Sequence, residues 1–136
     1  MNDDVELKGW YRWDDAQDLS ESRSPGVYLL AHFNTVPRSI NPIDANIIYI
    51  GETCGQTLRQ RWKQFSTSAF QNKFAHSGGA TYFHEFPGGK RHQLFVAFAT
   101  PKDQEPALSY HIRYLERKWL HDFVQKHGAP PRCNHK

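Results

Sequence analysis

The sequence predicts an α+β domain: a small antiparallel sheet of three to five strands with helices on one side. Three patterns carry that prediction. Gly26–Phe33 alternates between two faces, Asn46–Gly51 is β-branched and aromatic, and residues 105–127 repeat apolar side chains at helical spacing. The chain has 136 residues, 38% of them apolar, 14% aromatic and 23% charged. That suffices for one domain whose core needs neither a disulfide nor a structural metal, and it excludes a disordered chain. No apolar run approaches the ~20 residues that cross a bilayer. The polar, acidic start MNDDVELKGW does not read as a secretory leader, and two cysteines, Cys54 and Cys133, suit a cytoplasmic location.

The elements follow in order. Residues 1–25 form an acidic N-terminal arm ahead of a domain spanning 26–136; Trp10, Tyr11 and Trp13 can pack it, and Ser22, Ser24 and Pro25 end it. In GVYLLAHF, Val27, Leu29, Ala31 and Phe33 oppose Tyr28, Leu30 and His32, which is a two-faced strand. Residues 34–45, with Pro37 and Pro42, are loop, and NIIYIG is the partner strand. Leu58, Trp62 and Phe65 place a helix after a cap at Thr57 or Thr53. A second short helix is expected over 67–77 through Ala69, Phe70, Phe74 and Ala75. ATYFHEF and HQLFVAFAT read as strands joined by Pro87-Gly88-Gly89-Lys90-Arg91, a hairpin with a basic tip. Leu108, Ile112, Leu115, Trp119 and Phe123 mark the strongest helix, which Gly128, Pro130 and Pro131 end.

Charge is unevenly distributed. The net +3 divides into −4 over residues 1–25 (Asp3, Asp4, Glu6, Asp14, Asp15, Asp18 and Glu21 against Lys8, Arg12 and Arg23) and +7 over the rest. A basic body behind an acidic arm is either a polyanion-binding surface or an ordinary solvated one. In the first case the arm is expected to shield the basic face when no polyanion is bound.

Polar residues inside apolar stripes carry the chemistry. Glu116 lies about 40° from the centre of the last helix's apolar arc, between Ile112 and Trp119. A carboxylate turned toward a core costs several kcal/mol unless something positive meets it. The partner is either an internal arginine or a hard cation such as Mg²⁺, which prefers oxygen ligands. Arg61 borders the apolar face of the first helix, where its fork suits a phosphate or its stem packs on Trp62. Tyr28 and Tyr49 are the polar-tipped members of the two strands, each beside a glycine, Gly26 and Gly51, that hints at a close approach or a bend.

Gly26-Val27-Tyr28 followed by Tyr49-Ile50-Gly51 resembles the paired signature of the GIY-YIG nuclease family. Thr57-Leu58-Arg59-Gln60-Arg61-Trp62 resembles that family's arginine helix and selects Arg61 over Arg59. Leu115-Glu116-Arg117-Lys118-Trp119-Leu120 resembles its glutamate helix, and Pro131-Arg132-Cys133-Asn134 its closing segment. The resemblance covers residues 25–135. Residues 34–45 look like an insertion, Arg61 falls about two residues later than is usual in the family, and Glu52 stands where the excision-repair branch has a lysine.

The resemblance implies a small central antiparallel sheet flanked by helices, and one-metal hydrolysis of DNA to 5′-phosphate and 3′-hydroxyl ends. Glu116 would bind Mg²⁺ or Mn²⁺; Tyr28 would orient or deprotonate water; Tyr49 would hold the phosphate or its neighbour. Arg61 would stabilise the developing charge, and Asn134 would fix the cleft. His76 resembles a histidine of phage homing endonucleases, although a lone loop histidine is more often exposed. An unperturbed phenol near pKa 10 is a poor base at neutral pH, so either its pKa is lowered or it only positions water.

DNA is the expected partner, with no membrane. Lys63, Lys73, Lys90, Arg91, Arg113, Arg117, Lys118 and Arg132, with Lys136, are the candidate backbone contacts. Targeting would come from the core itself, from homo-oligomerisation or from a partner protein. The alternatives are a catalytically silent DNA-binding module of the same fold, and an interaction domain in which Glu116 pairs with Arg61. His135 with Cys133 and Cys54 lacks the paired spacing of a zinc site.

Overall fold

The alternating strand at Gly26 sits at the centre of the sheet. The computed structural model describes residues 5–134. Strand β1 is Lys8–Arg12, β2 Gly26–His32, β3 Ile47–Thr53 and β4 Leu94–Ala99. They form one antiparallel sheet in the order β1-β4-β2-β3. Helix α1 is Trp13–Ala16, α2 Leu58–Gln71, α3 Ser77–Glu85 and α4 Ala107–His127. Among the described residues no helix is long and apolar enough to cross a membrane.

The two faces of β2 seed two cores. Tyr28 and Leu30 pack with Trp13, Leu58, Trp62, Phe65 and Tyr82, so α1, α2 and α3 cover one face. Val27, Leu29 and Ala31 pack with Ile112, Leu115, Trp119 and Phe123 of α4 on the other. Helices therefore lie on both sides of the sheet, where the periodicities suggested one. The reason is that β2 is apolar on both faces, and each face needs a cover.

Capping sets the start of α2. The Thr57 hydroxyl accepts from the Gln60 N–H, while the Gln60 side chain accepts from the Thr57 N–H. The helix stops at Asn72, which takes the left-handed conformation (φ 55°, ψ 39°). No separate helix spans 67–77; α2 runs to Gln71, and a loop then leads to α3.

ATYFHEF is helical, not a strand, and Pro87–Arg91 is not a hairpin tip. Gly78, Tyr82 and Phe86 recur every four residues on the buried side, and a Cβ at Gly79 would meet the Phe65 carbonyl oxygen of α2 at 2.7 Å. Two glycines that weaken a helix in isolation seat α3: Gly79 lets it lie against α2, and Gly78 lets it lie against the Tyr49 ring of β3.

The stretch read as an arm supplies the edge strand beside β4 and two buried core residues, Trp13 and Ala16. Trp13 is 1% exposed and its indole N–H donates to Ser66 Oγ at 3.0 Å. Its acids are partly spent within the fold: Glu21 pairs with Lys8 and Asp14 with Arg91. Asp3 and Asp4 lie outside the described residues.

Candidate active site

The outer edge of β3 gathers the residues. Gly128 turns the chain at the end of α4 with φ +82°, and the closing segment runs back along β3. The Cys133 N–H donates to the Ile48 carbonyl at 2.8 Å. Asn134 closes a two-way bond with the neighbouring residue: its Oδ1 accepts from the Ile50 N–H and its Nδ2 donates to the Ile50 carbonyl, both at 2.9 Å. That segment, α3 and α4 enclose a cleft of about 400 Å³ whose walls include Tyr49, Ser77, Glu116, Arg117 and Asn134.

Two glycines hold the Tyr49 ring by its edges. A Cβ at Gly51 would lie 2.4 Å from Tyr49 Cε2 and 2.9 Å from the Tyr28 hydroxyl; one at Gly78 would lie 2.5 Å from Tyr49 Cε1. The strand glycine hinted at a close approach, and here it makes room for two phenols. Gly78 escaped sequence reasoning because nothing local links it to a ring on β3.

Behind Tyr49 lies Tyr28, with no exposed surface. Its hydroxyl sits 2.9 Å from His76 Nε2. The Gly79 N–H donates to His76 Nδ1 at 3.1 Å, so the proton of the neutral ring is on Nε2 and that N–H donates to the Tyr28 oxygen. Tyr28 then has its own proton to give. The Tyr28 and Tyr49 rings lie side by side, their centroids 5.9 Å apart.

Burial dominates the protonation of all three groups. It pushes Tyr28 well above the usual tyrosine value and Tyr49 to about 12, with the Arg61 charge opposing both. Burial, then the Arg61 charge, lowers His76 to about 3, so the imidazole is neutral at physiological pH. His76 is 1% exposed rather than a surface loop residue. Ser68 explains why: this buried helix serine accepts from the Ala75 and His76 N–H groups and donates to the Lys73 carbonyl. A serine in an apolar helix face was the available signal, and it passed unnoticed.

Arg61 is half-buried while Arg59 is exposed, and the Arg61 guanidinium donates to Gln64 Oε1 at 2.7 Å. That acceptor is neutral, so the bond leaves the positive charge that Tyr28, Tyr49 and His76 register. Glu116 is half-buried, and its charge is felt at Tyr49. Glu52 accepts from the Cys54 thiol at 2.9 Å.

Among the described residues no three His, Cys, Asp or Glu side chains form a group that could hold a metal by themselves. The donor set nevertheless suits Mg²⁺, which commonly binds through one or two carboxylates and completes its shell with water and phosphate oxygens. Glu116 is the carboxylate on the cleft wall. Zinc fits poorly. Cys54 packs on the α4 side of the sheet and Cys133 on the opposite side, and His135 lies outside the described residues.

The basic residues divide. Arg91 is paired with Asp14, Arg132 with Glu85 and Lys118 with Asp122. Lys90 and Arg91 sit between α3 and β4, near the rings of Phe86 and Phe70 respectively. Lys63 and Lys73 are exposed on and just after α2, and Arg113 and Arg117 are exposed on α4. Lys136 lies outside the described residues. No protein-family model, no curated protein and no solved structure matches the chain.

Proposed function

We propose that this protein is a metal-dependent endonuclease of the GIY-YIG type, hydrolysing DNA phosphodiesters to 5′-phosphate and 3′-hydroxyl ends. One observation carries the reading: Tyr49, Glu116 and Asn134, from segments far apart in the chain, meet on one open cleft beside the charge of Arg61. Phosphodiester hydrolysis is mainly a problem of accumulating negative charge, and these groups address it. Glu116 would hold Mg²⁺ or Mn²⁺, with water and phosphate completing the shell, and the cation would neutralise charge on the phosphate oxygens.

The chain's own residues do the rest. Tyr28, expected to orient or deprotonate the water, has no exposed surface. That role passes to Tyr49, the phenol on the cleft wall, whose pKa of about 12 makes it a positioning group for water rather than a base at neutral pH. Tyr28 stands behind it and backs its ring, with the Tyr28 oxygen held in turn by the His76 Nε2–H. Arg61 opposes the charge that builds on the phosphate. Asn134 pins Ile50, and so keeps Tyr49 at a fixed distance from Glu116. The free thiols of Cys54 and Cys133 suit a reducing, cytoplasmic setting.

The test is cleavage of supercoiled plasmid with Mg²⁺ or Mn²⁺, abolished by EDTA. Glu116→Gln and Arg61→Ala should each slow cutting by roughly 10²–10³-fold while melting like the wild type. Wild-type rates in either variant overturn the assignment. Salt-sensitive DNA binding without cleavage under either metal would instead indicate the silent module.

A further inference from the structure

The outward face of α4 carries a second feature. Tyr110, Arg113, Tyr114, Arg117 and Lys118 line a shallow hollow of about 640 Å³. Tyr110 and Tyr114 are one helical turn apart, as are Arg113 and Arg117, so a row of rings runs beside a row of guanidiniums. Tyr110 is 66% exposed and Tyr114 40%. Arg117 lines this hollow and also the cleft that holds Tyr49 and Glu116, so the two adjoin at that residue.

We propose that this face is a groove for unpaired DNA, holding single-stranded nucleotides that flank the bond to be cut; the proposal rests on the nuclease reading. Charge complementarity selects a polyanion, with Arg113 and Arg117 set to meet successive phosphates. The rings select the strand state. A duplex offers an aromatic side chain only base edges and backbone, because its base faces are stacked on each other. An unpaired strand offers the faces, and each ring can take one. A purely phosphate-reading surface would need the arginines and not the tyrosines.

Fluorescence anisotropy in EDTA, with a labelled fifteen-nucleotide oligo-dT, a duplex of equal length and an oligo-U of equal length, tests the groove without involving turnover. The paired variant Tyr110→Ala with Tyr114→Ala is expected to weaken oligo-dT binding about tenfold or more, leaving duplex affinity and the salt dependence unchanged. Tyr110→Phe with Tyr114→Phe should retain wild-type binding, because the ring and not the hydroxyl stacks. Arg113→Ala and Arg117→Ala should weaken both DNAs and each reduce the single-strand salt slope by about 0.7. Unchanged oligo-dT affinity in the paired tyrosine-to-alanine variant, or an equal fall on both DNAs, overturns the groove. Tighter binding of oligo-U overturns its assignment to DNA. If plasmid is still cut with Mg²⁺ or Mn²⁺ when the groove fails, only the groove is lost; if plasmid is not cut with either metal, the nuclease reading falls with it.

Discussion

Gly78 decides where the Tyr49 hydroxyl sits, and Gly78→Ala tests that directly. The added Cβ would lie 2.5 Å from Tyr49 Cε1, and ordinary contact begins at 3.4 Å, so something must yield by about 0.9 Å. The ring is bounded on its other edge by Gly51 and packs near Phe65, His76 and Tyr28. Its free direction is into the cleft. Overpacking costs about 1–3 kcal/mol, while alanine improves the helix by about 1 kcal/mol, so the net loss is up to about 2 kcal/mol and the protein stays folded. A shift of about 1 Å in a positioning group costs on the order of 10²-fold in rate. Single-turnover plasmid cleavage should therefore fall far more than stability does. Gly55→Ala, where no atom lies within 4 Å of the new Cβ, is the control and should cut normally. In a Tyr49→Phe background Gly78→Ala should cost little more, since the hydroxyl is already gone. Wild-type cutting by Gly78→Ala with an intact Tyr49 would refute the positioning role of that phenol.

Three further outcomes are expected. His76 is depressed to about 3 when folded and returns toward 6.5 when unfolded, so stability is full above pH 6.5 and drains as pH falls toward 3. By about pH 5 that loss is about 2 kcal/mol; His32, lowered to about 4, acts in the same direction. Denaturant melts across pH should show the slope, and His76→Gln should flatten it; an undiminished slope rejects the burial argument. Trp13→Ala should cost about 3–5 kcal/mol in urea melts, because the ring is 1% exposed and donates to Ser66. A loss below about 1 kcal/mol would mean that the N-terminal residues do not belong to the core. Asn134→Ala strips both bonds from Ile50 and should cost about 1–3 kcal/mol together with most of the cleavage rate. Retention of both stability and rate would remove Asn134 from the site.

Local chemistry determined much of this protein. The two-faced strand β2, the β-branched strand β3, the reciprocal cap at Thr57 and Gln60 and the long stripe of α4 each depend on residues within a few positions of one another. Glu116 stood out for the same reason, as an acid inside an apolar arc. Where partners are distant, the pattern was ambiguous. Residues 80–86 have aromatic content that suits a strand, yet they continue a helix that His76 caps and that Gly79 seats against Phe65 and Ser68 of α2. Lys8–Arg12 is unremarkable until β4 offers an open edge to pair with. The same holds for charge: Asp14 takes up Arg91 and Glu85 takes up Arg132 across intervals that no sequence window spans. His76 looked like a loop residue, yet Ser68 draws its backbone inward and the fold places its ring against Tyr28. Periodicity specifies which face of a segment is apolar. What that face meets is decided by packing, since a buried hydroxyl or imidazole must find whichever partner the assembled core puts within reach.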